Sequence, residues 1–173
     1  MNGFLARLPD RPVTSRHSDA DIPKLLRAYL DADYRWARDG EWPSLAIGQA
    51  APELEAAFPE AGEFALLSAW NPHSVERPEA GNRAADAALH LALRNSGARY
   101  LPGCASARDH GWREPSWVTI DLPLAQLDAL SRRFGQLGSL HCRRGSAFRL
   151  RMYADRPAGV DDSLPVDWMT AGG

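Results

Sequence analysis

Phe64-Ala-Leu-Leu-Ser-Ala-Trp70 is the densest apolar run in the chain, and it is bounded by Gly62 and Pro72. It is too short for an ordinary helix and its apolar positions do not alternate with polar ones. It therefore reads as a strand buried on both faces. Such a strand needs partners on either side and layers above and below it.

The flanking sequence supplies those layers. Residues 79–96 are rich in Ala and Leu and stop at Gly97, the clearest helix in the chain. An earlier helix begins after Asp21, with Pro23 in its first turn, and carries Ile22, Leu25, Leu26, Tyr29 and Leu30 on one face. Tyr34 to Trp42 reads as an extended stretch turning at Asp39-Gly40, Ser44 to Gly48 as a short strand, and Pro52 to Phe58 as a short helix. Tyr100 to Cys104 and Trp117 to Ile120 read as strands, with a loop from Gly103 to Arg113. Asp121 is expected to cap a helix carrying Leu124, Leu127, Leu130 and Phe134, closed by Gly135. Ser139–Arg143 and Ala147–Tyr153 then form a terminal hairpin, in which Phe148, Leu150 and Met152 alternate with Arg149 and Arg151.

The pattern specifies an α+β (or α/β) fold: a single mixed β-sheet flanked by about three to four helices and ending in a β-hairpin. The expected organisation is a loose arm over 1–17, one globular domain over 18–156 and a flexible tail over 157–173. A chain of 173 residues, 45% apolar and 24% charged, suits one domain with a real core. Two cysteines and no apolar leader imply a reducing compartment, so the protein is expected in the cytoplasm and off the membrane. A net charge of −2 gives no general attraction to nucleic acid.

There is no Walker loop, GxGxxG, HExxH, paired CxxC or GxSxG, and the sequence names no cofactor. Cys104, His110, His141 and Cys142 are zinc-binding types at a spacing that matches no standard site, so no metal site is assigned. The chemistry-bearing candidates sit at element ends instead. Ala69-Trp70-Asn71-Pro72-His73-Ser74 places polar side chains directly after the buried strand, where α/β sheets hold their ligands, although Asn-Pro and Ser also form turns unaided. Asn82, Asp86, His90 and Arg94 share one helical stripe. Asn82 either caps the helix or joins Asn71, and the rest read as a solvated face. Trp112, Glu114, Pro115, Ser116 and Trp117 form a second polar-aromatic entry to a strand, and Gln136 follows the glycine that closes the last helix. Six arginines and no acid lie between Arg132 and Arg151, a candidate surface for phosphate.

AWNPHS at 69–74, Asn82, Pro102-Gly103, Trp112 with Glu114-Pro115-Ser116, and Phe134-Gly135-Gln136 together resemble the bacterial family of domain-of-unknown-function 3293. Tyr29 and Tyr34 around an Ala-Asp step also fit, and the resemblance spans roughly residues 25–142. After Pro102-Gly103 this chain has Cys104-Ala105-Ser106 where the pattern is richer in glycine. The resemblance carries no activity or cofactor with it and indicates only which positions to test. The expected function is a small-molecule or nucleotide-binding protein, and the sequence leaves open whether it is an enzyme. Its polar pocket is lined by Asn71, Ser74, Asn82, Trp112, Ser116 and Gln136, with Glu114 as catalytic acid or base. The alternative is a non-catalytic interaction module whose arginine-rich face meets a phosphate-bearing or protein partner.

Overall fold

In the computed structural model, which describes residues 21–109 and 111–170, the run at 64–70 is the centre of the molecule. Glu63–Leu67 forms β3, and its neighbours are β5 (Arg113–Ile120) on one side and β6 (Gly138–Arg143) on the other. The remaining strands are β1 (Asp33–Trp36), β2 (Ser44–Leu45), β4 (Arg99–Ser106), β7 (Arg149–Met152) and β8 (Val166–Trp168). They make one eight-stranded sheet in the order β2-β1-β4-β5-β3-β6-β7-β8. Every pairing is antiparallel except β7 with β8, so the sheet is mixed. The helices are α1 (Ile22–Asp31), α2 (Pro52–Ala57), α3 (Glu79–Ser96) and α4 (Leu124–Arg133). The fold is α+β.

The alternation of β3 sorts the core into two layers. Phe64 and Leu66 join Trp36, Val118, Ile120, Leu140, Phe148 and Leu150 on the inner face, where Ile22 and Leu26 of α1 and Leu54 of α2 pack. Ala65 and Leu67 face the other way, onto Leu89 and Leu93 of α3 and Leu127 of α4. The sheet curls toward closure. Just past β2, Gly48 N donates to Phe148 O (2.8 Å) and Phe148 N to Gln49 O (2.9 Å), joining one flank of the sheet to the other.

The Asp39-Gly40 turn forms as expected, with φ of +48° and +87°. Other expectations are corrected. The loop expected from Gly103 begins later, because β4 runs on to Ser106 with Pro102 and Gly103 inside it. The carbonyl of Pro102 accepts from Ala37 N on the β1 side, where the paired register ends at Trp36–Gly103, so the missing N–H of Pro102 interrupts no ladder. Asp121 does not cap α4, whose N-terminal flank is Pro123. Its carboxylate instead takes Gly62 N (2.7 Å) and Arg99 (2.9 Å), tying the ends of two strands together. The segment from 157, expected as a tail, contributes β8, whose Val166 pairs with Leu150. Val166, buried, and Leu164, partly buried against the same cluster, supply the reason. The expected arm over 1–17 lies outside the described residues. No described helix is long and apolar enough to cross a membrane.

Leu89 and Leu127 are fully buried against β3. Truncation of either to alanine is expected to cost about 2–5 kcal/mol in urea unfolding. A loss below about 1 kcal/mol would show that the outer layer does not hold the strand.

Candidate functional site

The chain leaving β3 makes a sharp loop. Asn71, His73 and Ser74 all take positive φ (+46°, +57° and +55°), a conformation that costs non-glycine residues about 1 kcal/mol or more each. The surroundings hold it in place. Asn71 N donates to Asn82 Oδ1 (2.8 Å), and Asn82 Nδ2 returns a bond to Asn71 Oδ1 (2.9 Å). Arg77 Nε also donates to Asn82 Oδ1 (2.7 Å), and its guanidinium reaches Ala69 O (3.1 Å). On the other flank His73 N donates to Gly135 O (2.6 Å), and the hydroxyls of Ser74 and Tyr29 share a bond of 3.1 Å.

Gly135 is needed twice over. Its φ is +64°, and an added Cβ would stand 2.9 Å from Pro72 Cβ. The C-terminus of α4 can therefore dock against the loop only if this position has no side chain.

Beside the loop is a cavity of about 230 Å³ on the inner face, beneath α1. Its floor is a row across three strands: Tyr34 of β1 lies opposite Ala105 of β4, which lies opposite Glu114 of β5. Tyr29, Leu25 and Ala28 of α1 form one wall, Trp70, Asn71 and Ser74 another, and Trp112, Glu76 and Gln136 complete it. A smaller extension of about 30 Å³ runs inward past Glu114 to Ser116 and Gly138.

Asn71 Nδ2 donates to Glu114 Oε1 at 2.7 Å. None of the ion pairs among the described residues includes Glu114. Burial raises its pKa above the ordinary carboxylate value, and the Asn71 bond offsets only part of that. Burial also pushes the Tyr29 hydroxyl up to about 12 and that of Tyr34 well above the usual tyrosine range, so both stay protonated at neutral pH. Gln136 Nε2 donates to Trp70 O (3.0 Å) and Phe134 O (3.3 Å), which fixes its amide with Oε1 free.

Most of the residues expected at the site do converge. Asn71, Ser74, Trp112, Glu114 and Gln136 line the cavity, and Ser116 lines its inner extension. Asn82 is the correction: it is 3% exposed, lines neither space, and spends its amide holding Asn71. Asp86 and His90, expected on a solvated face, instead pack against Trp117. Asp86 accepts Trp117 Nε1 (3.0 Å), and His90 stacks on the Trp117 ring at 4.8 Å, on the outer face.

The arginine face is largely occupied. Arg151, buried rather than solvated, forms a two-pronged pair with Asp128 (2.9 and 2.8 Å). Arg149 pairs with Asp167 (2.8 Å), Arg144 reaches the carbonyls of Ala61, Glu55 and Phe58, and Arg132 lies over Tyr153. His141 and Cys142 point to opposite faces of β6. His141 meets Glu63 (3.0 Å), while burial pushes the Cys142 thiol up to about 12, far from an activated nucleophile.

Residues that the sequence did not assign to the site are Tyr29, Tyr34, Glu76 and Gly135. Tyr29 sat in an apolar helical stripe and passed for core; the available signal was a tyrosine, with a hydroxyl to satisfy, where leucine would serve.

Residues 67–138 match the family model described as Protein of unknown function (DUF3293). Over this stretch the chain is similar to that family. The matched segment runs from the last residue of β3 to the first of β6. It contains the strained loop, the asparagine pair, Glu114 and Gln136, whereas the α1 wall and Tyr34 lie outside it. Comparison with curated proteins and with solved structures found no match.

Two outcomes follow. Gly135→Ala is expected to lose about 2 kcal/mol in chemical denaturation, from positive φ and the clash with Pro72. Glu114→Gln keeps an oxygen for Asn71 Nδ2 but cannot ionise. A raised pKa means that stability from the protonated carboxyl is complete below the ordinary value of 4.5 and is lost as pH rises through the raised one. The variant should therefore gain on the parent between about pH 4 and pH 7. Urea midpoints that differ by the same amount at both pH values would contradict this account of Glu114.

Proposed function

We propose that the protein binds a small molecule in the inner-face cavity, and that Glu114 gives or takes a proton there. The observation that carries this reading is the Glu114 carboxyl. It opens onto a cavity on the inner sheet face and has a neutral amide as its partner instead of a cation. A carboxylic acid held in that way costs stability and, with its pKa raised, suits acid–base work above the ordinary carboxylate range. The strained loop that positions Asn71 has the same character, since backbone strain concentrates at functional sites.

The lining argues against a nucleotide. Among the described residues no lysine or arginine faces the cavity, Glu76 and Glu114 would repel phosphate, and about 230 Å³ is below the usual size for drug-sized ligands. The interaction-module reading is weakened because most of its arginines already meet acids, carbonyls or rings. The two free, buried cysteines favour a cytoplasmic setting.

A thermal-shift screen of small metabolites tests the proposal. Compounds that raise the melting temperature of the parent chain should lose most of that effect in Ala28→Trp, which fills the cavity mouth from α1. Any turnover should vanish in Glu114→Gln. Hits that stabilise Ala28→Trp as well as the parent would move the binding site elsewhere.

A further inference from the structure

Resting on the small-molecule reading above, we infer that the ligand carries an organic ammonium group, which the cavity holds between aromatic rings and carboxylates. The walls present four aromatic side chains, Tyr29, Tyr34, Trp70 and Trp112, and the charged groups among the lining are both acids, Glu76 and Glu114. Ring faces and carboxylates together form the arrangement that attracts alkylammonium ions, through the ring quadrupole and direct charge pairing.

The hydrogen-bond inventory points the same way. The amide donors nearest the cavity are already committed: Asn71 Nδ2 to Glu114, and Gln136 Nε2 to two carbonyls. The tyrosine hydroxyls are engaged as well, Tyr34 with Tyr29 O (2.8 Å) and Tyr29 with Ser74. Trp70 Nε1 is buried without a partner and is not reachable from the open space. The second oxygen of Glu114, Gln136 Oε1 and the Glu76 carboxylate remain as acceptors, beside the Trp112 indole N–H and one hydroxyl proton of the Tyr29–Ser74 pair as donors. A cavity whose charged groups are both acids, set among aromatic rings, selects a ligand that is positively charged. The Glu114 carboxyl without a cation partner is then the position that the ligand's own charge fills.

The probes are tetramethylammonium, (2-hydroxyethyl)trimethylammonium and the uncharged carbon isostere of the latter, 3,3-dimethyl-1-butanol. Binding to the full chain is measured by calorimetry and by quenching of tryptophan fluorescence. The hydroxyethyl ammonium should bind at least roughly tenfold more tightly than its isostere, a preference that charge alone explains. Glu114→Gln should remove most of that preference, and Trp112→Ala should weaken both ammonium probes with the fold unchanged by circular dichroism. Glu76→Gln gives an independent reading at the rim, with a smaller loss expected.

Equal affinity for the charged and neutral isosteres, or a preference untouched in Glu114→Gln, would overturn the ammonium assignment. If neither ammonium probe binds while neutral compounds from the thermal screen do so and are blocked by Ala28→Trp, the cavity stands as a binding site and only the ligand class falls. If nothing binds in either experiment, both readings fall together.

Discussion

A strand with no polar face can exist in water only at the middle of a sheet that is covered on both sides, and β3 imposes that condition on the whole chain. Antiparallel neighbours must flank it, which β5 and β6 do. One layer of helices must cover Ala65 and Leu67, which α3 and α4 do, and something must fill the space over Phe64 and Leu66. Curling the sheet and placing α1 and α2 over the hollow completes that inner layer. The cavity lies where the curl leaves the inner face incompletely filled, at the end of β3, and this is also where the chain must turn sharply to reach α3.

At that end the polar groups are organised in ranks. Asn82, buried in the first turn of α3, does not meet the cavity, yet it decides where Asn71 sits, and Asn71 decides where the Glu114 carboxyl points. Gly135 does the same from the opposite side by allowing α4 to end against Pro72. Glu114 of β5 and Tyr29 of α1 thus bond, through Asn71 and Ser74, to a loop fixed from two helices, and these bonds compensate for three residues in left-handed conformations.

Much of this was legible from residue types in order. The apolar run at 64–70, the helix ending at Gly97 and the final hairpin are strong local patterns, because burial on one face or two leaves a period in the sequence. Cavity residues near element ends were also visible, since Asn71, Glu114 and Gln136 are polar where a turn alone would not require them. Other features were hidden for physical reasons. Asn82 as a brace rather than a contact depends on a fraction of a helical turn. Tyr29 and Tyr34 look like core until a space opens beside them. Pro102 and Gly103 resemble a turn in isolation, and only the end of the β1 pairing makes them acceptable in a strand. Arg149 and Arg151 read as an exposed basic face because their partners, Asp128 and Asp167, come from α4 and from a strand near the C-terminus.

The two outermost strands, β2 and β8, are two and three residues long. The backbone just past β2 is already bonded across the curl to Phe148. An eight-stranded sheet would ordinarily present two long rows of unpaired amide and carbonyl groups, each a template on which a second molecule could add its own strand. Here those rows are reduced to a few positions. The same closure that shapes the inner-face hollow leaves little free strand edge among the described residues.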